Sequence, residues 1–299
     1  MRKLDFSIPE DADGKRAADW LRREQGFSYG AVVKLRHNPD CLLLDGAPIR
    51  TIDPLRNGSL LTVFIPDREA AEVPCPELDI PILYQDEDLI VFDKPAGVPC
   101  HPSKGHGTGT LANFYAAVCP GSRFRILGRL DKDTSGLVLA AKNACAAKTL
   151  TDHPPEKEYL AVLTGVPKER EGTIDLAIDD RDPENRRRFV SEEGRPSRTD
   201  YRILAEGGGY SLALVSPKTG RTHQIRVHFS AIGCPLAGDA LYGGDRTLIQ
   251  RHALHRSRIV FTHPLTGERM EFTSPLPEDM ASLCRALFQK KKGDLPDGI

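Results

Sequence analysis

Apolar residues along the chain gather in short runs that turn residues and charged residues separate. Between Thr222 and Ile232, the apolar positions Ile225, Phe229 and Ile232 recur at helical spacing, which predicts a helix there. Four other runs have the length and composition of buried strands: residues 89–92, 137–141, 159–163 and 210–215. Buried strands mixed with helices favour an α+β fold with a large, partly antiparallel sheet.

The N-terminal residues 1–66 show a different pattern, which predicts a small α+β domain. Two amphipathic stretches predict helices, and Ser28 has the character of an N-cap before the second one. Short apolar strands follow at residues 41–44 and 60–65, and Asp45-Gly46 is a turn signal after the first of them.

Charge and proline then mark a boundary. Residues 67–80 carry charges followed by Pro74 and Pro76, and such a segment has little apolar surface to bury, so we expect an extended linker. We expect the main domain to span residues 81–290 and residues 291–299 to form a solvated tail.

Composition narrows the possible functions. The 299 residues carry a formal net charge of −1, so any attraction to nucleic acid must come from a local basic patch. Seven scattered cysteines without a Cys-x-x-Cys pair, and an N-terminus without a secretory signal, predict reduced thiols in a cytoplasmic protein. No apolar run reaches the ~20 residues of a membrane span, so we expect no membrane partner. His223 and His228 lie five positions apart rather than the four of a helical zinc pair, and we expect no metal.

Residues 128–137 (GRLDKDTSGL) concentrate the polar chemistry of the chain. Asp131, Asp133 and Gly136 match the first half of a calcium-binding EF-hand loop. The twelfth position of that loop needs a bidentate carboxylate, but it holds Lys142 here, and the residues before it are apolar. The sequence therefore argues against calcium, and the segment needs another explanation.

Five motifs, in this order, resemble those of the RluA-type pseudouridine synthases. They are Asp93-Lys94-Pro95-Ala96-Gly97 with His101-Pro102-Ser103, then residues 128–137, residues 156–162 (EKEYLAV), residues 219–228 (TGRTHQIRVH), and Leu254-His255 with Phe261-Thr262-His263-Pro264. Together they span about residues 90–275, and five ordered motifs are far more specific than any one alone.

This resemblance implies a reaction and a fold. The family isomerises uridine to pseudouridine within RNA: the N-glycosidic bond breaks, the uracil turns, and a carbon–carbon bond to the same sugar forms. Nothing is oxidised and no group is lost, so neither a cofactor nor a metal is expected. The implied fold is α+β, with a large mixed, mostly antiparallel sheet flanked by helices.

Asp131 matches the aspartate that the family uses as its nucleophile. Carboxylates are covalent catalysts at glycosidic carbons, and two routes stay open: attack at C1′ or assistance to elimination through a glycal. An Asx-turn aspartate is the plainer alternative at this position. Asp133 falls at a variable position of the motif, and we expect it to be a turn residue.

Arg221 and Tyr159 match two further active-site residues of the family. Arg221 corresponds to the arginine that pairs with the aspartate and lowers its pKa, although an arginine before a helix also suits a phosphate. Tyr159 corresponds to the tyrosine that stacks on uracil and acts as a base, although a core aromatic in a strand fits as well. A phenol with a pKa of about 10 is a poor base near neutrality, so Arg221 or the substrate must assist it.

Arg129 and Gly128, two neighbours of Asp131 in the sequence, bear on how the substrate binds. A uridine must leave its stack to reach Asp131, which opens a gap in the RNA. Arg129 has a planar guanidinium and is a candidate to fill that gap by stacking. A contact between Arg129 and a phosphate is the alternative. Gly128 stands where the family usually has histidine, which leaves its effect on rate or targets open.

The N-terminal domain resembles the alpha-L RNA-binding domain. Its candidate RNA contacts are Arg16, Arg22, Arg23, Lys34 and Arg36. A solvated charged face is the alternative, since exposed helix faces are commonly charged. The charged residues 181–188 resemble a family loop and fit either phosphates or solvent.

The sequence therefore predicts a monomeric, cytoplasmic RNA pseudouridine synthase that acts on ribosomal RNA, with transfer RNA as the alternative substrate. The choice of ribosomal RNA rests on the added domain, by analogy. A rival hypothesis is an idle RNA-binding protein that kept the fold. A metal-dependent glycoside hydrolase fails for want of ligands and of a second positioned carboxylate.

Overall fold

The computed structural model describes residues 2–65, 72–103, 107–179 and 187–288. The first four strands form a small antiparallel sheet: β1 (Arg2–Ser7), β2 (Leu42–Leu44), β3 (Ala47–Pro48) and β4 (Leu60–Ile65). Their order in the sheet is β1-β4-β2-β3. Helices α1 (Ala17–Arg23) and α2 (Tyr29–Arg36) join this sheet, and their buried residues share one apolar core with those of the strands.

The N-cap of α2 is confirmed. The Ser28 side chain accepts a hydrogen bond from the Ala31 backbone N–H at 3.1 Å, which satisfies a donor that a helix start would otherwise leave unpaired. Trp20 and Leu21 of α1 pack with Leu61 of β4 in the shared core. The predicted helix–helix–strand pattern of the N-terminal part is therefore present.

A second, larger sheet occupies most of the remaining described residues. Its first six strands are β5 (Ile82–Gln85), β6 (Leu89–Lys94), β7 (Arg125–Ile126), β8 (Ser135–Ala141), β9 (Glu156–Thr164) and β10 (Glu171–Asp175). Strands β11 (Ile178–Asp179) and β12 (Phe189–Val190) form a separate pair. The large sheet continues with β13 (Arg198–Gly207), β14 (Tyr210–Pro217), β15 (Leu254–Thr262) and β16 (Arg269–Thr273). The order is β10-β13-β14-β9-β15-β8-β6-β5, with β7 beside β8 and β16 beside β15.

Nearly all neighbouring strands of this sheet are antiparallel, and β15 with β8 is the parallel pair. The remaining helices are α3 (Leu111–Val118), α4 (Ala144–Asp152), α5 (Gln224–Ala231) and α6 (Glu278–Phe288). The α+β fold with a mixed, mostly antiparallel sheet and helices is confirmed, and so are the four buried strands that the apolar runs predicted.

The helix predicted between residues 222 and 232 is present as the shorter α5. Ile225 and Phe229 are buried in the main core, as their spacing predicted. Ile232 is 38% exposed, because the helix ends at Ala231 and Gly233 then turns the chain with a φ of +79°.

The parallel pairing of β8 with β15 depends on Gly136. This glycine has a φ of +107°, and a Cβ on it would lie 2.3 Å from the backbone oxygen of Arg256. Beside it, the Ser135 hydroxyl shares a hydrogen bond with His255 Nδ1 at 3.0 Å, and the Thr134 hydroxyl shares one with His252 Nε2 at 2.8 Å. The end of the 128–134 loop is therefore fixed against β15 by both backbone and side chains.

The small sheet is fastened to the large one near the start of β6. Arg2 of β1 donates to both carboxylate oxygens of Asp88, at 2.9 and 3.1 Å, and Asn143 Nδ2 donates to the same carboxylate at 2.7 Å. Cys145 of α4 lies in the core of the N-terminal unit. These contacts fix how the two sheets meet.

The predicted linker falls only partly within the described residues, since residues 66–71 lie outside them. Residues 72–81 form no helix or strand. Asn113 of α3 donates from Nδ2 to the Val73 carbonyl at 2.8 Å, and the Cys75 N–H donates to the Asn113 carbonyl at 3.1 Å. The domain boundaries stay predictions, and the predicted tail lies outside the described residues.

We expect Gly136→Ala to destabilise the fold severely, because the new methyl group meets backbone that cannot move aside. Overpacking of about 1–3 kcal/mol adds to about 1–2 kcal/mol for the positive φ. Gly267→Ala is the matched control, since Gly267 has a φ of +74° and a Cβ added there would meet nothing within 4 Å. Urea unfolding should show a clearly larger loss for Gly136→Ala, and equal losses would contradict the close approach.

Candidate active site

A cleft of about 640 Å³, open to solvent, lies where the 128–134 loop meets β9, β15 and the start of α5. The loop contributes Asp131, β9 contributes Tyr159 and β15 contributes Arg256. The segment from Pro217 to Arg226 closes the opposite wall.

Asp131 meets a guanidinium at the base of this cleft. Arg226 of α5 donates from Nη1 to Asp131 Oδ2 at 3.0 Å. The same side chain donates from Nε and Nη2 to the two carboxylate oxygens of Asp239, at 2.7 and 2.8 Å. The Asp239 side chain is 1% exposed, so Asp239 holds the guanidinium rigidly while the third nitrogen faces Asp131.

This arrangement keeps Asp131 ionised. Burial opposes the charge, but His223, which is protonated at the acidic pH where a carboxyl titrates, and Arg226 outweigh burial and hold the pKa of Asp131 below its ordinary value. Burial also lowers the pKa of His223, so its imidazole is neutral near pH 7. The permanent charge that stabilises the carboxylate there is therefore the one on Arg226, whose pKa is raised by its two carboxylate partners despite burial.

Histidines surround the carboxylate without adding charge at neutral pH. His223 Nε2 lies 3.7 Å from Asp131 Oδ2, and its Nδ1 shares a hydrogen bond with the Tyr242 hydroxyl at 2.9 Å. His223 has a φ of +58°, a backbone conformation that costs free energy in a residue other than glycine. Burial lowers the pKa of His252 to about 4, so it stays neutral beside Thr134.

The expected ion pair between Asp131 and Arg221 is wrong. Arg221 is exposed at the mouth of the cleft, and its Nε donates to the Pro196 carbonyl at 3.4 Å. The reason is the start of α5: the Gln224 side chain accepts from the Arg221 backbone N–H at 3.0 Å, so the helix begins after Arg221. Arg226 lies inside the helix and points at the carboxylate instead.

Tyr159 and Arg256 form a second pair on the strands. Arg256 donates to the Tyr159 hydroxyl from Nε at 2.8 Å and from Nη2 at 2.5 Å. Its Nη1 donates to the carbonyls of Gly128 and Leu137, both at 3.0 Å. Both side chains are buried, at 7% and 2% exposed. The phenol oxygen is thus fixed in the cleft by a fully engaged guanidinium.

The family model described as RNA pseudouridylate synthase matches residues 88–231, which contain both Asp131 and Tyr159. The uncharacterized RNA pseudouridine synthase YlyB of Bacillus subtilis is 36% identical over 300 residues, covering 96% of this chain and 99% of that protein. The ribosomal large subunit pseudouridine synthase D of Pseudomonas aeruginosa is 36% identical, covering 84% of this chain and 85% of that protein. The chain belongs to the RNA pseudouridine synthase family.

A solved structure agrees. Human RNA pseudouridylate synthase domain containing 1 is 32% identical, with a TM-score of 0.58 over 70% of this chain and 88% of that one. The predicted resemblance is confirmed, and the protein is an RNA pseudouridine synthase, an isomerase whose partner is RNA. Among the residues that the structure describes, no helix is long and apolar enough to cross a membrane.

The other sequence candidates lie around the cleft of this synthase or away from it. Arg129 is exposed at the rim, where its Nη2 donates to the Thr222 hydroxyl at 2.7 Å. Asp133 does not line the cleft and belongs to the turn that follows Asp131. The N-terminal candidates are all exposed on α1, on α2 or beside them: Arg16, Arg22, Arg23, Lys34 and Arg36.

One cluster elsewhere has the composition of a metal site. Ligand atoms of Asp86, Asp88 and His263 lie within 4.8 Å of one another. Asp86 already accepts from the Tyr84 hydroxyl at 2.7 Å and from two backbone N–H groups, and its Oδ2 lies 2.9 Å from His263 Nε2. Asp88 is engaged by Arg2. With these oxygens in use, the cluster is a hydrogen-bonded joint between the two sheets.

Three residues of the site were not predicted from the sequence: Arg226, which pairs with Asp131, Arg256, which pairs with Tyr159, and Asp239, which pairs with Arg226. Arg226 lies in the motif at residues 219–228, five positions after Arg221, and the start of α5, which apolar periodicity does not reveal, distinguishes the two arginines. Arg256 follows directly after a motif at Leu254-His255, but its contact with Tyr159 spans 97 positions. Nothing local to Asp239 marks it as the partner of Arg226.

We expect Arg226→Met to lower the free energy of unfolding by about 3–5 kcal/mol, because it leaves Asp239 buried and unpaired. Arg221→Met is the control, since Arg221 is exposed, and its change should stay within about 0.5 kcal/mol. Urea unfolding of both variants measures the difference. Comparable stability of the two variants would refute the assignment of the ion pair to Arg226.

Proposed function

We propose that Asp131 is the nucleophile of this pseudouridine synthase and that ribosomal RNA is its substrate. One observation carries the catalytic assignment: Asp131 is the carboxylate that lies in the cleft, ionised, with Arg226 bonded to one oxygen. Its other oxygen, Oδ1, is left to meet the sugar. Both reaction routes use this geometry, and attack at C1′ and elimination through a glycal stay open.

The reaction needs one bond to break, one to form and one proton to move. The bond between C1′ and N1 breaks, the uracil turns, and C5 bonds to C1′. C5 then loses its proton while N1 gains one. Asp131 acts at the sugar during this exchange, either by attack at C1′ or by assistance to elimination through a glycal.

Tyr159 is the proposed base for the C5 proton, and Arg256 positions it. A lone phenol is a poor proton acceptor near neutrality. Two N–H donors of Arg256 at its oxygen offset negative charge there, and the guanidinium lies 5.1 Å from the ring centroid. The assistance that the sequence interpretation sought from Arg221 comes from Arg256 in this proposal.

Two observations support ribosomal RNA. The relative from Pseudomonas aeruginosa is a ribosomal large subunit pseudouridine synthase, and it aligns with 84% of this chain. The N-terminal unit presents arginines and a lysine at its surface, as RNA-backbone contacts require. Arg129 is proposed to fill the space of the extruded uridine. Transfer RNA is the second candidate, and a cytoplasmic monomer stays a prediction.

An idle RNA-binding protein is the weaker proposal. Such a protein has no need for an ionised carboxylate in a cleft, nor for a phenol held by a buried guanidinium. Both features are present beside Gly128, the position at which the chain departs from the family pattern.

We expect Asp131→Asn to reduce pseudouridine formation below about one-thousandth of wild type, because the amide cannot act as a nucleophile. Asp133→Asn is the matched control and should stay within about twofold, since Asp133 does not line the cleft. Pseudouridine is quantified after incubation with unmodified ribosomal RNA. Equal product from the two variants would remove Asp131 from the mechanism.

For the substrate, we expect RNA from cells that lack the gene to have lost pseudouridine at positions in ribosomal RNA. Mapping both RNA classes from cells with and without the gene provides the measurement, and complementation with Asp131→Asn is the control. Loss confined to transfer RNA would contradict the ribosomal assignment and leave the catalytic one intact.

A further inference from the structure

The strand side of the cleft carries two cations and no anion among the described residues. Arg256 donates hydrogen bonds to the Tyr159 hydroxyl and to two backbone carbonyls. Lys157, two positions before Tyr159 on the same face of β9, has no hydrogen bond or ion pair with any residue that the structure describes. Burial and the charge of Arg256 lower the pKa of Lys157 to about 8. An ammonium in this position favours an anion that comes from outside the protein.

Gly128 determines what lies in front of that ammonium. A Cβ at this position would lie 3.4 Å from Lys157 Nζ and 3.5 Å from its Cε, so any side chain there would occupy the space beside the lysine. Gly128 has a φ of +81°, a conformation that other residues adopt at a cost. Its carbonyl is held by Arg256, which fixes the opening. The absence of a side chain leaves Lys157 accessible from the mouth of the cleft.

We propose that Lys157, exposed by Gly128, binds a backbone phosphate of the RNA next to the extruded uridine. The proposal rests on the proposed function, because it takes the nucleotide at Asp131 as the reference point. The anions that RNA offers near a base in this cleft are its phosphates, and lysine binds them as a point charge. Lys157 is then a substrate-binding residue, and Gly128 is part of the site rather than a defect in the family motif.

Several other groups share the cleft with Lys157 and bear on its charge. The charged and titratable side chains that line it are Arg129 and Asp131 on the loop, Tyr159 and Arg256 on the strands, and Arg221, His223 and Arg226 at the start of α5. Arg256 is the one whose charge disfavours the ammonium most directly. The carboxylate of Asp131 is already paired with Arg226 and leaves Lys157 for the RNA.

Steady-state kinetics on an unmodified ribosomal RNA transcript, over a range of salt concentrations, test this site. Lys157→Met should raise KM about 10-fold or more and leave kcat nearly unchanged, because a charge-assisted contact to the bound RNA is lost. The slope of log(kcat/KM) against log salt should become shallower by about 1, the effect of one lost phosphate contact. Lys157→Arg should retain the wild-type slope, and so should Lys168→Met, an exposed lysine outside the cleft.

A pH series supplies an independent readout. The charged form of Lys157 is the protonated one, so wild-type kcat/KM should fall as pH rises through about 8. Lys157→Arg stays protonated and should keep its kcat/KM at pH 9, while other titrating groups affect both proteins equally. This comparison also decides the matter if Lys157→Met fails to fold.

If Lys157→Met keeps the wild-type salt slope, or loses only kcat, Lys157 does not bind a phosphate. The lysine would then contact the uracil or stabilise the fold, and the proposed phosphate site would be overturned. Identical pH profiles of wild type and Lys157→Arg would overturn it as well. Asp131→Asn is measured in parallel. Product formed by that variant contradicts the proposed nucleophile, whatever the salt slope shows, so the two failures are distinguishable.

Discussion

The active site of this synthase depends on one guanidinium shared between two carboxylates. Arg226 gives two donors to Asp239 and a third to Asp131. Asp239 is almost fully buried and accepts from the arginine with both carboxylate oxygens, which anchors the arginine in one geometry. The free energy cost of burying that carboxylate is offset by the pairing, and the rigid arginine then orients and stabilises the Asp131 carboxylate, the proposed nucleophile.

The rest of the fold brings this pair close to β9 and β15, the strands that carry Tyr159 and Arg256. The loop before β8 must end close to β15, and Gly136 permits an approach at which a methyl group would clash with the backbone of Arg256. Arg256 then extends from β15 to the phenol of Tyr159 on β9. A backbone contact at one glycine therefore sets the distance between the proposed nucleophile and the proposed base.

Short sequence motifs predicted the residues of the site that lie within a single motif. Asp131 and Tyr159 lie in short motifs, and the structure places both in one cleft. The choice between Arg221 and Arg226 needed the start of α5, which a side-chain hydrogen bond of Gln224 sets and which no apolar periodicity reveals. Arg256 acts through a contact across the sheet, and strand register is not legible from one strand alone. The predicted helix was too long for a similar reason, since a glycine turn ends it before Ile232.

The mechanism depends on an Asp131 carboxylate that its positive neighbours stabilise against burial, and a carbon-13 NMR titration of aspartate carboxyl groups tests that stabilisation most directly. The Asp131 signal is assigned by its disappearance in Asp131→Asn. We expect this carboxyl to titrate below its ordinary value of 3.8. A carboxyl that titrates at or above that value would contradict the stabilisation, because burial would then have prevailed over His223 and Arg226.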